Sequence, residues 1–460
     1  MIALTAAEVA AATGGRLEHV SPDAVVDAAV IDSREVAPGA LFVALAGEHV
    51  DGHDFTRAAV EAGAPFVLAD RPTGVASVIV EDVPAALGAL AREVLARLRP
   101  RGLRVVGVTG SVGKTTTKDL LAQVLGASGP TVAPVASFNN EIGLPLTVLR
   151  ADETTRFLVL EMGAAALGEL EYLTSIAPPD VAVVLRVAHA HVGGFGGIEA
   201  VARAKSEIVS GLAEGGVAVL NADDDRVAAM SALAERAVTF GEARSATVRA
   251  ADLRLEQGRA RFTLTTPEGE APVHLTLVGA HHVTNALAAA AVALELGVRL
   301  EHVARRVSQA RATSPHRMHV VDRPDGVTVV DDSYNANPDS MRAALQALAV
   351  LAGRERRTVA VLGEMLELGD EHRSAHDAIG RLVVRLNVDL TVVVGEGARP
   401  IFDAAAHEGS WGEEVLAVDT VAQARELLDA ALRPGDVVLV KSSHGAGLWR
   451  LADHLTGARA

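Results

Sequence analysis

The sequence predicts an α/β protein of three domains, and three observations support this. At 460 residues the chain is too long for one hydrophobic core. Short apolar runs alternate with segments of helical periodicity, the pattern of mostly parallel sheets with helices on their faces. One apolar run, Val105–Val108, breaks into Thr109-Gly110-Ser111-Val112-Gly113-Lys114-Thr115-Thr116 and then a helical stretch. Strand, glycine loop, lysine, hydroxyl and helix is the order that holds a nucleotide triphosphate.

Residues 1–100 form the first predicted domain. A short helix begins at Thr5. Strand-like runs follow at Leu41–Ala46, Pro65–Ala69 and Ser77–Val80, with a helical patch at Phe55–Ala62. A longer helix, Ala85–Leu98, runs into Arg99-Pro100-Arg101-Gly102, a punctuation fit for a boundary. Residues 101–313 open with the phosphate loop. Strands are expected at Phe157–Leu160, Val181–Leu185 and Val217–Leu220, with a helix at Glu199–Leu212. The alternating stretch Thr247–Leu277 reads as a β excursion, and Asn285–Leu296 as an Ala-rich helix. Residues 314–460 carry strands at Val327–Val330, Thr358–Leu362, Leu390–Val394 and Val437–Val440. Helices at Ser340–Leu351, His376–Leu386 and Val421–Leu432 lie between them, as in a doubly wound, Rossmann-like unit. A cleft between domains, closing around ligand, follows from this layout.

Composition narrows the function. The net charge is −16 with no block of like charges, which argues against nucleic acid and anionic membranes as partners. There is no cysteine, so disulfides, thiolate nucleophiles and Cys-ligated zinc are excluded. The N-terminus has no basic region, and Glu8 interrupts its apolar residues, unlike a signal peptide. No window of eighteen uninterrupted apolar residues exists, so no membrane insertion is expected. A cytoplasmic protein is the expectation.

Several residues carry chemistry in this pattern. Glycines let backbone N–H groups close on phosphate oxygens, Lys114 would reach the outer phosphates, and the Thr115 hydroxyl would ligate Mg²⁺. The strict pattern asks for glycine at 108, where this chain has Val108. Glu161 ends an apolar run and is placed either to hold Mg²⁺ or to face solvent. Asn139 and Asn140 suit a peptide-like substrate or a capping turn before Leu144. His189 and His191 alternate on an extended segment and could both ligate a metal, though in such pairs more often one matters, or neither. Lys205 is the ordinary solvated lysine of a helix, unless CO₂ converts its amine to an anionic carbamate beside two magnesium ions. Asp331-Asp332-Ser333-Tyr334-Asn335-Ala336-Asn337-Pro338 would bind ribose and adenine, or cap the helix at Ser340. Arg317 would clamp a phosphoryl group across the cleft, or is a surface arginine.

Taken in order, these segments resemble the Mur ligase family over essentially the whole chain. The most specific pieces are TGSVGKTT, SFNNEIGLPLT, VLEMGA, AKSEI, and DDSYNANP with GEMLELG. The DDSYNANP form is typical of the branch that adds a dipeptide. Members adding one amino acid, and folylpolyglutamate synthases, share the first loop.

The resemblance implies an N-terminal UDP-binding domain, a central ATPase domain and a C-terminal Rossmann-like domain. It implies an ATP-dependent ligase that joins D-alanyl-D-alanine to UDP-N-acetylmuramoyl-tripeptide through an acyl phosphate, acting as a monomer. On this sequence, Thr109, Gly110, Ser111, Val112, Gly113, Lys114, Thr115 and Thr116 would hold ATP phosphates. Asn285 and Asn335 would face adenine, Asp332 the ribose and Arg317 the phosphates. Thr115, Glu161, His191 and a carbamylated Lys205 would serve two Mg²⁺ ions. Lys114, Lys205, Arg317 and His191 would be catalytic. Asn139 and Asn140 would meet the dipeptide, and Ser33 and Arg34 the uridine nucleotide. The chain departs from the family pattern at Arg186, Gly193, His282 and Lys441-Ser442-Ser443-His444. The alternatives are a single-amino-acid Mur ligase, a folylpolyglutamate-type ligase, or, in another class, a nucleotide switch. The GTPase signature Asn-Lys-x-Asp is missing, since Asn139 and Asn140 precede Glu141.

Overall fold

A computed structural model describes residues 1–47, 50–135, 137–188, 197–409 and 414–458. Its elements gather into three main sheets, one for each stretch of the chain.

The first sheet has five strands, ordered Arg16–Glu18, Ser77–Ile79, Val67–Ala69, Ala40–Val43, Ala28–Val30. Only the first pair is antiparallel. Thr5 caps helix Ala6–Thr13 through a capping box, in which Glu8 accepts from Thr5 N and Thr5 Oγ1 accepts from Glu8 N. Helix Val83–Leu98 starts at Asp82, whose Oδ1 accepts from Ala85 N at 2.8 Å. Its apolar residues recur at Leu87, Leu90, Ala91, Val94 and Leu98, which puts them on one stripe. That stripe joins Leu144, Leu170, Leu173 and Ile176 of the central region in a single apolar cluster. The first and central sheets therefore share a core.

The central sheet has nine strands. Arg104–Thr109 lies between Phe157–Glu161 and Val181–Val184, parallel to both. The chain leaves Arg104–Thr109 through helix Lys114–Gly126 to edge strand Thr131–Val132, then returns on the other side with Val181–Val184. Such a reversal opens a crevice at the carboxyl ends of the strands. The predicted β excursion is three strands, Val248–Glu256, Arg259–Thr266 and Gly269–Val278, joined as antiparallel neighbours. Alternate residues Ala271, Val273, Leu275 and Leu277 are buried, the period-two signal read in the sequence.

The third sheet is ordered His319–Asp322, Thr328–Asp331, Val437–Lys441, Thr358–Leu362, Leu390–Val394, Val415–Val418, parallel after its first pair. The linker before it is fastened to helix Lys114–Gly126. Gln123 exchanges two hydrogen bonds with the Arg311 backbone, at 2.9 and 3.0 Å. Asp119 accepts from Ser314 N and Oγ at 2.9 and 3.0 Å, and Lys118 pairs with Asp119 at 2.6 Å.

The sequence pattern misses Arg16–Glu18, Thr131–Val132, Ala237–Gly241, His319–Asp322 and Val415–Val418. Each has five residues or fewer, and most sit at or near a sheet edge, too short or too exposed for periodicity to register. Among the described residues no helix is long and apolar enough to cross a membrane.

The shared core makes a prediction. Leu90→Ala, at a fully buried site, is expected to lower stability by about 2–5 kcal/mol. Hydrogen exchange under mild denaturant should show protection lost together in the first and central regions. Loss confined to the first region would contradict a common core.

Candidate active site

The phosphate loop leaves strand Arg104–Thr109 and enters helix Lys114–Gly126 at Gly113, whose φ is +85°. A Cβ on Gly113 would collide with Asn285 Oδ1, so both conformation and space demand glycine. No side chain caps this helix, which leaves its first N–H groups open to an anion. Ser111 fixes the loop's far side: its N donates to Arg186 O at 2.8 Å and its Oγ accepts from Ala188 N at 3.0 Å.

Around the loop lies a cavity of about 1230 Å³ lined from all three regions of the chain. The first region contributes Asp82, Pro84 and Ala85. The central region contributes Ser111 to Thr116, Ser137, Asn139, Asn140, Glu161, Arg186, Lys205, His281, His282 and Asn285. The third contributes Arg317, Asp332, Tyr334, Asn335 and Lys441. Lys114 Nζ folds back to Gly110 O at 2.8 Å. Burial lowers its pKa, the Glu161 carboxylate opposes that shift, and the Arg317 charge adds to it.

Glu161 is buried at the end of strand Phe157–Glu161. Its Oε1 accepts from Asn139 Nδ2 at 2.9 Å, while its Oε2 is buried without a hydrogen-bond partner. A bare carboxylate oxygen in a buried site is the kind of ligand a divalent cation seeks. The Thr115 and Ser137 hydroxyls meet at 2.9 Å, and Arg317 Nη2 donates to the same Ser137 Oγ at 3.3 Å. Ser137 thus links the loop's hydroxyl to a guanidinium from the third region. Arg317 lies over the Tyr334 ring, 4.3 Å from its centroid, which supports the cation in place.

Lys205 departs from its ordinary reading. Helix Ile198–Ser210 turns Val201, Ala204, Lys205 and Ile208 inward, and Lys205 is only 3% exposed. Burial, with a smaller push from Lys114, brings its pKa down to about 7.

The third region supplies a tight ion pair. Lys441 Nζ donates to Asp332 Oδ2 at 2.5 Å and to Asn335 O at 2.8 Å, and Asp332 Oδ1 accepts from Met318 N at 3.1 Å. Asn335 Oδ1 accepts from Ala336 N at 2.9 Å. Asn337 caps helix Pro338–Ala352 through a box with Ser340, so capping and site residues share one segment.

Buried His281 and His282 sit beside Asn285. Burial lowers the pKa of His281 to about 4 and holds that of His282 well below the usual imidazole range, so both are neutral. Asn140 Oδ1 accepts from Gly143 N at 2.9 Å at the start of helix Gly143–Val148, the turn-forming role foreseen as its alternative.

Not every predicted residue lines the cavity. Thr109 is fully buried at its strand's end, and Gly110 contributes its carbonyl to Lys114. Neither is in the lining, and nor are Ser33 and Arg34. Arg34 is exposed and paired with Asp32 at 2.6 Å. His189, His191 and Gly193 lie outside the described residues. Sequence reasoning gave no role to Ser137, Tyr334 or Lys441. Lys441 could have been found, because it ends an apolar strand as Glu161 does.

Three family models match this chain in succession: "Mur ligase family, catalytic domain" at residues 26–104, "Mur ligase middle domain" at 108–293, and "Mur ligase, glutamate ligase domain" at 316–444. The chain belongs to the Mur ligase family. A UDP-N-acetylmuramoyl-tripeptide–D-alanyl-D-alanine ligase from Mycobacterium tuberculosis is 47% identical, over 99% of this Mur ligase and 98% of the relative. The ligase of that name from Escherichia coli is 36% identical over 97% of each chain. Among solved structures, MurF from Acinetobacter baumannii superposes with a TM-score of 0.88 at 33% identity, covering 99% of both chains. MurF from Thermotoga maritima in complex with ADP gives 0.80 at 30% identity, covering 94% of this chain and 97% of that one.

The departures of this Mur ligase from the family pattern have defined places. Arg186 is exposed at the cavity, and its carbonyl anchors Ser111. His282 is buried with Nε2 unpartnered. His444 stacks on Trp449 with centroids 5.7 Å apart.

Gly113→Ala tests the loop. Left-handed strain of about 1–2 kcal/mol plus the clash with Asn285 should weaken ADP binding at least roughly tenfold. Calorimetric titration measures this; unchanged affinity would contradict the geometry.

Proposed function

We propose that this Mur ligase joins D-alanyl-D-alanine to UDP-N-acetylmuramoyl-tripeptide in peptidoglycan precursor synthesis, with ATP cleaved to ADP and phosphate. The observation that carries the chemistry is the convergence of Lys114, Lys205, Arg317 and the free Glu161 oxygen on one cavity. The choice of substrates rests on relatives of that name that match nearly the full length.

In the first step a substrate carboxylate takes the γ-phosphoryl group of ATP, giving an acyl phosphate and ADP. Two anions must meet, so positive charge and exclusion of water are the main requirements. Lys114 and the open helix N-terminus hold the outer phosphates, and Arg317 reaches them from the third region. In the second step the amine of D-alanyl-D-alanine attacks the activated carbonyl, and phosphate leaves as the tetrahedral intermediate collapses. Asn139, held by Glu161, and Asn140, held at a helix start, offer amide groups to the incoming dipeptide. Ser33 and Arg34 stand apart from the cavity, which suits a long substrate whose uridine end lies away from its reacting carboxylate. The enzyme acts as a cytoplasmic monomer.

Glu161 Oε2 and the Thr115 hydroxyl fit Mg²⁺, which when bound would neutralise phosphate charge; His191 would join them. Lys205 fits a carbamate. At pH 7 about half of a group with pKa about 7 is neutral, against roughly one ordinary lysine in a few thousand. The neutral amine adds CO₂ and releases a proton. The product exchanges a positive charge beside Lys114 for a negative one, which removes the repulsion that adds to the effect of burial on Lys205.

Purified protein should release phosphate only when UDP-muramoyl tripeptide, D-alanyl-D-alanine, ATP and Mg²⁺ are all present. Equal turnover with a single amino acid would move the assignment to a sister enzyme. Lys205→Ala should abolish turnover, and short carboxylic acids should restore part of it.

A pH dependence also follows. The folded pKa of Lys205 lies below the ordinary lysine value, so the neutral amine predominates above about pH 7 and is lost as pH falls below it. With ¹³C-bicarbonate, a carbamate resonance should weaken as pH drops through about 7 and should be missing from Lys205→Ala. A signal independent of Lys205 would rule this out.

A further inference from the structure

The chain segment that carries Arg317 is held in an unusual way. Ser314 is the last linker residue tied to the central region, through Asp119 and Lys118. From His316 onward the backbone is tied to the third region: His316 O accepts from Tyr334 N at 3.2 Å, and Met318 N donates to Asp332 Oδ1 at 3.1 Å. Between the two sets of ties stands only Pro315. Arg317 therefore sits at the near edge of the third region, reaching back to Ser137 in the central one.

Both neighbours of Arg317 have left-handed backbones, with φ +58° at His316 and +50° at Met318. Non-glycine residues in this region are strained and persist only where surrounding contacts over-determine them. For His316 those contacts are visible. Its ring is largely buried; Nδ1 lies 2.7 Å from Asp331 Oδ2, and Nε2 lies 3.8 Å from Asp453 Oδ1. Asp331 is itself fixed at its strand's end, accepting from Ser333 Oγ at 2.6 Å. Asp453 belongs to helix Trp449–Thr456, so the ring stands between two elements of the third region.

We propose that His316 is a positioning residue for Arg317. Its ring is inserted into the third region on Asp331, and its left-handed backbone then directs the next side chain outward over Tyr334 to the phosphate loop. His316 touches no substrate; it acts by making the guanidinium rigid with the third region, so that placement of that region is transmitted to the transferring phosphoryl group. The proposal rests on the reading of Arg317 as the phosphate clamp.

The test separates the two. Arg317→Ala should lower kcat at least roughly a hundredfold; near-normal kcat would overturn the clamp reading itself. His316→Gly removes the ring and relieves the strain, so the protein should melt at or near its normal temperature. If His316 positions Arg317, kcat for amine-dependent phosphate release falls at least roughly tenfold in His316→Gly with little change in KM for ATP. His316→Asn tolerates the left-handed backbone and keeps a donor for Asp331, so it should recover part of the loss. In an Arg317→Ala background, His316→Gly should cost nothing further. A normally folded His316→Gly enzyme with unchanged kcat would overturn the proposal. So would a loss of the same size in the Arg317→Ala background, and so would a His316→Asn enzyme as impaired as the glycine variant. Should the glycine variant fail to fold, the His316→Asn and Arg317→Ala single and double variants decide by the same non-additivity.

Discussion

The rest of the site depends on a surplus of buried positive charge. Lys441 is balanced by Asp332 at 2.5 Å. Among the described residues, Glu161 is the one buried acid in the lining beside the loop that carries Lys114, and one of its oxygens is unpaired. Buried charge without a partner is costly, and like charges brought together deepen that cost. The strain shows in Lys114 and Lys205, whose amines are pushed towards neutrality. A chain of net charge −16 thus groups three cations, Lys114, Lys205 and Arg317, around one loop. A polyphosphate, rather than the protein alone, completes the electrostatics there.

The fold meets this demand by directing strand ends at one place. Arg104–Thr109 delivers the loop, Phe157–Glu161 its acid, and Val437–Lys441 a lysine beside the residue that follows Thr328–Asp331. In parallel sheets the carboxyl ends lie on one edge, so each sheet supplies functional side chains without any strand crossing the cleft. Helix Lys114–Gly126 then does two jobs. Its first turn lines the cavity, and further along Lys118, Asp119 and Gln123 grip the linker that leads to the third sheet. Nucleotide site and linker are thereby built on one rigid element.

Sequence patterns revealed those parts of this arrangement that are local. The loop reads as strand, glycines and helix, and Glu161 as an acid at the end of an apolar run. Lys205 also carried a local signal, since it falls four residues after Val201 and three before Ile208 on the apolar stripe of its helix. Solvation is the commoner fate of lysine, and the stripe was the stronger argument. Ser137 and Tyr334 left no such trace. Their importance comes from meeting Thr115 and Arg317, residues distant in sequence, and nothing in a hydroxyl or a ring announces such a meeting. Short edge strands were lost for a related reason: two to five half-exposed residues are defined by their neighbours in the sheet rather than by their own periodicity.

Charged and neutral groups stand side by side around the phosphate loop, where Asn285 Oδ1 closes on the space beside Gly113. Near the loop stand Lys114, Lys205 and Arg317. Beside Asn285 stand His281 and His282, which burial keeps uncharged, His281 down to a pKa of about 4. Protonation of either ring at ordinary pH would add to the positive charge already gathered there. Burial prevents it, while leaving ring nitrogens such as the unpartnered His282 Nε2 able to make neutral hydrogen bonds. The Lys441–Asp332 pair in the same lining adds no net charge.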